Sequence, residues 1–564
     1  MTFALFYNPE GYTTSHKKLM GRHAAGESFL RGLLMFGRER LNDTYYLLVE
    51  DKKYESVFES VMSSYGIKGK ACAIEKQRLE RLSEAKGVFL PGPGLSEYSY
   101  QRGNFNNLEW SLCGITHTTS SARAMDSIAQ LITSPVQTWD AVICTSTAVK
   151  KNVECVLQAQ VDSLKERLGI TKIVLPQLPV IPLGIHTEDF SYTSEQRAKA
   201  RAALKTGDDT LVVLYTGRLS FHAKAHPLAM YQALENAAQA TGKKVVLVEC
   251  GWHANEYIEK AFAAGAQMVS PSVRVVTLDG RIAENRETAW ASADVFCSLS
   301  DNIQETFGIV PIEAMAAGLP VVVSDWDGYK DTVRDGVDGF RIPTLAPAPG
   351  LGGDLAHRHA LEIDTYDMYC GHSSSLVAVH AQKLTQGFIE LFQSPELRKK
   401  MGEAGRLRAT QDYDWRTIIP RYEELWDEQT KIRLAAKKVL EEGAKISGQP
   451  VVSSVWPARL DPTIGFANYP TQHLTLATEM TLVQPSAKEA MLKLAKYKEL
   501  LMVNYASYIF PTDKEIQLVF EAAEASLPNS NTAEALMDGI EAKRRPYVLR
   551  GLAWLCKLGL LQFS

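Results

Sequence analysis

The sequence predicts an α/β protein with two doubly wound domains facing a cleft, followed by a small helical C-terminal domain. Three observations carry this prediction. Short β-branched or aromatic runs alternate with longer helical patterns, the alternation runs through two cycles, and the composition changes near residue 446. Near-continuous apolar strands separated by helices imply parallel sheets covered on both faces. The 564 residues correspond to about three domains at roughly 100–200 residues each.

In the first cycle the strand candidates are Phe3–Tyr7, Tyr45–Val49, Gly87–Leu90, Cys113–His117, Ala141–Thr145 and Val180–Ile185. The second restarts after residue 207 with Leu211–Tyr215, Lys244–Glu249, Val273–Leu278, Ala293–Leu299 and Pro320–Ser324. Leu345–Gly353 reads as a loop from its proline and glycine content. Ser375–Gln429 is helical and rich in aromatics, Trp415, Tyr422 and Trp426 among them. Over Ile446–Pro462, Ser, Gly, Pro and Val replace helix formers, which places a linker there. From Ser486 onward about four helical segments follow, the last closing with Val548, Leu552 and Leu555. Within it, Thr532–Leu561 has the pattern of a winged-helix core.

Composition narrows the function. With 61 basic against 65 acidic residues the net charge is −4, so no global field attracts nucleic acid. The basic trio Lys543, Arg544 and Arg545 is too small a patch to change this, and the last domain is expected to dock a partner or a second copy. None of the eight cysteines forms a Cys-x-x-Cys pair, which excludes zinc ribbons and thioredoxin-like sites and fits a reducing cytosol. The N-terminus lacks a signal-peptide pattern, and the longest apolar stretch, Gly308–Val323, is broken by Glu313 and two prolines. A cytoplasmic protein is expected. The basic amphipathic stretch His16–Arg40 raises peripheral contact with the inner face of a membrane, unless its apolar residues Phe29, Leu30, Leu33 and Leu34 cover the sheet.

Doubly wound sheets bind ligands beyond the carboxyl ends of their strands. The most informative such segment runs Ser300-Asp-Asn-Ile-Gln-Glu305-Thr-Phe-Gly308-Ile-Val-Pro311-Ile-Glu313-Ala-Met-Ala-Ala-Gly318. Pro311 suits a first helical turn and Gly318 a C-cap, so the N–H groups of Thr306, Phe307, Gly308, Ile309 and Val310 form an anion site. Glu305 and Glu313 flank it, and carboxylates beside an anion site suit hydroxyl groups, one set on a sugar and one on a ribose. In Leu211–Lys224 a strand runs into Gly217, then Arg218 and Lys224, a fork and a point charge for phosphate oxygens.

The string from Glu305 to Glu313 resembles the Glu-x7-Glu signature of retaining glycosyltransferases of family 4, which have the GT-B fold of two Rossmann-like domains. Gly217-Arg218…Lys224 is similar to that family's donor-diphosphate site, with Ala225 where a glycine is usual. Gly21-Arg-His-Ala-Ala-Gly26-Glu27 resembles its Gly-Gly-x-Glu loop, with Gly26 as the retained glycine, and His117 its strand-end histidine near the transferred sugar. Val180–Phe190 resembles its hinge segment, and Val276–Ile282 its base-binding edge, which points to Arg281 and Ile282. Asp325-Trp-Asp327 has the form of an Asp-x-Asp metal motif but falls in a loop of this family. The resemblance covers about residues 1–430, is poor over 345–375 and absent over 447–564.

The resemblance implies an acceptor-side domain over 1–195, a nucleotide-sugar domain over 196–430 whose last helix crosses back, and an accessory region over 431–564. It implies transfer of a hexose from a nucleotide diphosphate sugar, UDP-linked first and GDP-mannose next, to a hydroxyl of a saccharide, lipid-linked sugar or small molecule. Anomeric configuration would be retained by front-face attack without metal or other cofactor. Glu305, His117, Lys224 and Arg218 would be catalytic. Gly26, Gly217, Arg281, Ile282, Thr306, Phe307, Gly308, Ile309 and Glu313 would bind the donor. Two other readings fit part of the pattern: a non-catalytic scaffold on a transferase-like core, and a GT-B nucleotide-sugar epimerase.

Overall fold

A computed structural model describes residues 3–13, 21–38, 44–447 and 456–564, with backbone alone at 21–23 and 444–447. The chain divides into two compact units, Met1–Trp456 and Pro457–Ser564.

The first unit holds two six-stranded parallel sheets. In the first lobe these are β1 Ala4–Phe6, β2 Thr44–Leu48, β3 Lys70–Ile74, β4 Gly87–Phe89, β5 Ser111–Ile115 and β6 Ala141–Ile143, in the order β3-β2-β1-β4-β5-β6. In the second they are β7 Thr210–Thr216, β8 Lys244–Gly251, β9 Arg274–Asp279, β10 Val295–Ser298, β11 Val321–Ser324 and β12 Gly339–Ile342, in the order β12-β11-β10-β7-β8-β9. Both orders reverse between the first and fourth strands of the lobe, the Rossmann-like arrangement whose crevice lies at that switch point. The central strands are β-branched and buried: Val212, Val213 and Leu214 of β7 are all 0% exposed.

Three parts of the sheet expectation are corrected. β3 and β12 are additional strands, and Val180–Ile185 is an extended hinge whose strand-like pairing is confined to isolated bridges, Cys144 to Val180 and Ile185 to Asp414. β13 Thr344–Leu345 pairs antiparallel with β14 Ala378–Val379, so the segment taken as a simple loop begins with a strand and closes around two helices, Gly353–Ala360 and Tyr366–Ser374.

The helix Trp415–Ser447 belongs in packing to the first lobe. Trp415 presses so closely on two backbones that a Cβ on Gly32 or Gly184 would stand 2.7 or 2.5 Å from its ring. Trp426 stacks on Phe3 with centroids 5.3 Å apart, and Arg433 donates to the carbonyl oxygens of Leu108 and Glu109. The helix runs unbroken through residue 430, because its pattern of one buried face continues past that point. The helix Gly21–Phe36 buries Phe29, Leu30, Leu33 and Leu34 in the same core, at 6, 2, 1 and 0% exposure, so that apolar face covers the sheet. Residues 16–20, 39 and 40 of the basic stretch lie outside the described residues, as do residues 448–455 of the linker. Among the described residues no helix is long and apolar enough to cross a membrane.

The second unit is helical as expected, with a small sheet added. Besides the helices Ala487–Lys498, Leu501–Asn504, Asp513–Glu524 and Arg545–Lys557, it has an antiparallel sheet of β15 Glu479–Leu482, β16 Asn531–Thr532 and β17 Leu561–Phe563. Strands this short leave no legible alternation in sequence. Its core includes Leu494, Phe520 and Leu552, buried at 1, 0 and 0% exposure.

Candidate active site

The switch point of the second sheet lies between β7 and β10, and both loops that leave it carry the residues singled out by sequence. After β7 come Gly217, Arg218 and Lys224; after β10 come Glu305 and the helix Ile309–Ala316. Gly217 has φ +141°, and its carbonyl oxygen lies where a Cβ on Gly251 would stand, at 1.9 Å, so β7 and β8 part only with glycine at both places. Gly308, the N-cap at φ +79°, is required twice over: its conformation is left-handed, and a Cβ would stand 1.9 Å from the Tyr329 ring. No side chain caps this helix, so its first-turn N–H groups lack the partner that capping would supply.

Lys224 forms an ion pair with Glu305, the two side chains 23 and 11% exposed. Burial works to raise the Glu305 carboxyl, but the Lys224 ammonium and hydrogen bonds from the Thr306 and Phe307 N–H groups outweigh it and hold it below its usual range. Glu313, one turn into the helix, goes the other way: burial pushes it up to about 7 against the charges of Arg286 and Lys224. Arg218 donates to the Ala223 carbonyl and to Gln304 Oε1, both at 2.7 Å. This places two cations, a strong carboxylate acceptor and a helix N-terminus side by side at the switch point.

The first lobe faces this group with a cavity of about 750 Å³. It lies beyond the carboxyl ends of β1 and β4, the switch point of the first sheet, and is lined by Asn8, Gly26, Pro91, Gly94, His117 and Arg123 among others. His117 marks the junction, for its carbonyl accepts from Thr306 Oγ1 at 3.2 Å. The cleft is bridged again where Ser146 Oγ donates to Asp327 at 3.2 Å and the Thr147 N–H donates to Asp331 at 2.6 Å.

The structure therefore gathers Arg218, Lys224, Glu305, Thr306 and Glu313 with His117 across the cleft. The remaining residues singled out by sequence are placed as follows. Gly26 lies inside the helix Gly21–Phe36 and not in a loop, since Ala24 and Ala25 extend the helix; a Cβ there would stand 2.3 Å from the Gly11 carbonyl. Phe307 offers only its N–H to Glu305; its ring is buried, 6.2 Å from Tyr413. Arg281 is an exposed residue paired with Asp279 at 2.7 Å, and Ile282 is 48% exposed. Ile309 packs on the core.

Sequence reasoning missed Gln304 and Arg286, gave Asp301 no role beyond that of a loop or capping residue, and weighed Asp327 only as part of an Asp-x-Asp string in a loop. Asp327 is pushed up to about 8, chiefly by burial and then by the charge of Glu305, and Asp301 to about 7 by burial. The signal available was position, since all but Arg286 lie in the loops just after β10 and β11. Asp325 and Asp327 turn to different partners, Arg341 at 3.5 Å and Ser146. Among the described residues no group of three or more His, Cys, Asp or Glu side chains gathers as metal ligands would.

Residues 210–349, the stretch bearing Gly217, Arg218, Lys224, Glu305 and Glu313, match the family of glycosyl transferases group 1. Phosphatidyl-myo-inositol mannosyltransferase of Mycobacterium tuberculosis (strain CDC 1551 / Oshkosh) is 30% identical over 155 residues, 27% of this chain and 32% of that protein. D-inositol 3-phosphate glycosyltransferase of Geodermatophilus obscurus is 33% identical over 184 residues, 30% of this chain and 37% of that protein. The chain thus spans about a third of the length of these curated relatives. A crystal structure of Anabaena Alr3699/HepE in complex with UDP aligns over 76% of this chain and 100% of that one, with TM-score 0.49 and 15% identity. The paired Rossmann-like sheets are those of the GT-B class, and the matched segment with its relatives supports a glycosyltransferase.

Proposed function

We propose that this protein is a retaining glycosyltransferase that moves a hexose from a nucleotide diphosphate sugar, UDP-linked first and GDP-mannose next, to a hydroxyl acceptor. The observation that carries the reading is the Lys224–Glu305 pair at the switch point, beside Arg218 and an uncapped helix N-terminus. In the reaction the bond from the anomeric carbon to the diphosphate oxygen breaks and its electron pair leaves with the diphosphate. Arg218, Lys224 and the helix N–H groups stabilise the negative charge that grows there, donors fixed in place before the charge develops. Charge compensation from these groups supports transfer without a metal.

Glu305, held ionised, accepts hydrogen bonds from hydroxyls of the sugar, while Glu313 meets the ribose and His117 the sugar from the opposite lobe. The acceptor occupies the cavity beyond β1 and β4. Its hydroxyl oxygen bonds to the anomeric carbon on the face the diphosphate leaves, and its proton passes to a departing phosphate oxygen, so no protein nucleophile is consumed. Contacts across the cleft exclude water from this step.

The test is nucleoside diphosphate release from a panel of UDP-, GDP- and ADP-sugars by wild type, Glu305→Gln and Lys224→Ala. One donor should be hydrolysed slowly without acceptor, and both variants should fall, Lys224→Ala by at least roughly a hundredfold, as when a transition-state donor is removed. Absence of both turnover and nucleotide binding across the whole panel would overturn the reading.

A further inference from the structure

The two-helix insertion between β13 and β14 lies beyond residue 349, where the similarity to glycosyl transferases group 1 ends. It is pinned at several points. Asp364 takes Arg358 at 2.7 Å and His372 at 3.1 Å, which joins its two helices. The second helix also packs on the loop after β7: a Cβ on Gly371 would stand 3.0 Å from the His222 side chain, two residues ahead of Lys224. Tyr366, the first residue of that helix, reaches into the cleft.

Its hydroxyl lies 3.1 Å from Gln304 Nε2, 2.9 Å from Ser120 Oγ and 3.4 Å from Thr118 Oγ1. Gln304 Oε1 in turn accepts from Arg218 at 2.7 Å. A guanidinium can only donate, so the amide oxygen of Gln304 faces Arg218 and its NH2 faces the tyrosine. The tyrosine oxygen therefore accepts from Gln304, and its own hydrogen is available to the Ser120–Thr118 hydroxyls or the Cys370 thiol beside it. The chain Arg218 to Gln304 to Tyr366 runs in one donor direction, so each bond polarises the next, and it ends on the Ser120 hydroxyl. Arg218 belongs to the second lobe. Thr118 and Ser120 follow His117 in the first.

We infer that Tyr366 is a positioning residue: its hydroxyl sets the Gln304 amide, and through it the Arg218 fork, and ties that orientation to the seating of the His117–Ser120 loop. The inference rests on the transferase reading. A donor bound to the second lobe then meets an oriented Arg218 only when the lobes are together. Losing the hydroxyl leaves donor capture intact and weakens the group that stabilises the leaving diphosphate. Such a loss lowers kcat and kcat/KM equally.

The experiment uses the full chain with the donor selected by the panel above. It compares kcat and donor KM for wild type, Tyr366→Phe, Gln304→Leu and the double variant. Tyr369→Phe, on the same helix and stacked on His359 at 4.2 Å, serves as the control. The expected result is a kcat lowered roughly tenfold in Tyr366→Phe, as for loss of one hydrogen bond to a charged relay, with donor KM unchanged. The double variant should be no slower than the slower single one, and the control should match wild type. Wild-type rates in Tyr366→Phe, a loss confined to KM, or single effects that multiply in the double variant would each overturn the inference. A wild type that turns over no nucleotide sugar fails the transferase reading, whereas an active wild type with an unaffected Tyr366→Phe fails the positioning role alone.

Discussion

Replacing Lys224 with alanine removes the charge that keeps Glu305 ionised and leaves a carboxyl only 11% exposed with the Thr306 and Phe307 N–H groups as its remaining partners. Breaking a fully buried ion pair by deleting one partner costs about 3–5 kcal/mol. Lys224 keeps 23% of its exposure, and solvent screening reduces the cost to about 2 kcal/mol. In a lobe of this size that lowers the melting temperature by about 4–8 °C. The pH dependence is the sharper signature. In the wild type the folded carboxyl is held below its unfolded value, so its contribution to stability is present above the unfolded pKa and is lost as pH falls through the folded one. Without Lys224 burial dominates, the folded value moves up, and the same carboxyl becomes a cost as pH rises through the unfolded value near ~4.3. The gap between wild type and Lys224→Ala should therefore widen from acid to neutral pH. Thermal melts across that range on wild type, Lys224→Ala, Glu305→Gln and the double variant measure it. Glu305→Gln in the Lys224→Ala background should restore part of the loss. A gap flat in pH, or a double variant whose loss is the sum of the single ones, would refute the coupling.

Three further outcomes are expected. Gly308→Ala should cost at least about 3 kcal/mol in urea unfolding, from a left-handed backbone and overpacking together, because its Cβ would stand 1.9 Å from Tyr329. Glu249, pushed up to about 7 by burial and hydrogen-bonded by the Tyr231 hydroxyl at 2.5 Å, keeps its proton when folded but loses it when unfolded. Stability from this group is present at acid pH and lost as pH rises toward about 7; Glu249→Gln should gain on wild type across that window, and melts that stay parallel would contradict it. Gly26→Ala must move the Gly11 carbonyl, 2.3 Å from the new Cβ, so it should raise acceptor KM more than donor KM in steady-state assays.

The strands that could be read from sequence and those that could not differ in composition more than in position, since the edge strands β6 and β9 were read as well. β7, β10 and β11 are central and buried on both faces, and their continuous apolar runs announce them. β3 and β12 are edge strands. Lys70 at the start of β3 is exposed, and β12 opens with Gly339, where a Cβ would stand 1.9 Å from the Val321 carbonyl. An edge strand with one wet side and a glycine for close approach has the composition of a loop. Val180–Ile185 misleads in the opposite sense: Ile181, Leu183 and Ile185 are buried at 5, 8 and 3% exposure because the hinge runs between the lobe and Trp415, not because it sits in a sheet.

For the site, the residues were legible and their partners were not. Glu305 and Lys224 were each identified from local pattern, yet their pairing depends on β7 lying beside β10, a long-range fact that parallel crossovers hide from any window of sequence. The same holds for the opposite behaviour of the two glutamates. Glu305 lies where Lys224 and two backbone N–H groups converge and stays ionised. Glu313, eight residues on, has its nearest cations farther off and is pushed up to about 7. Their spacing is common to many helices, so what separates an acceptor for sugar hydroxyls from a carboxyl near neutrality is the neighbour each one finds. Gln304 makes the point for specificity. It is an unremarked side chain beside a marked one, and only the insertion that brings Tyr366 to its amide, with Arg218 at its oxygen, gives it an orientation.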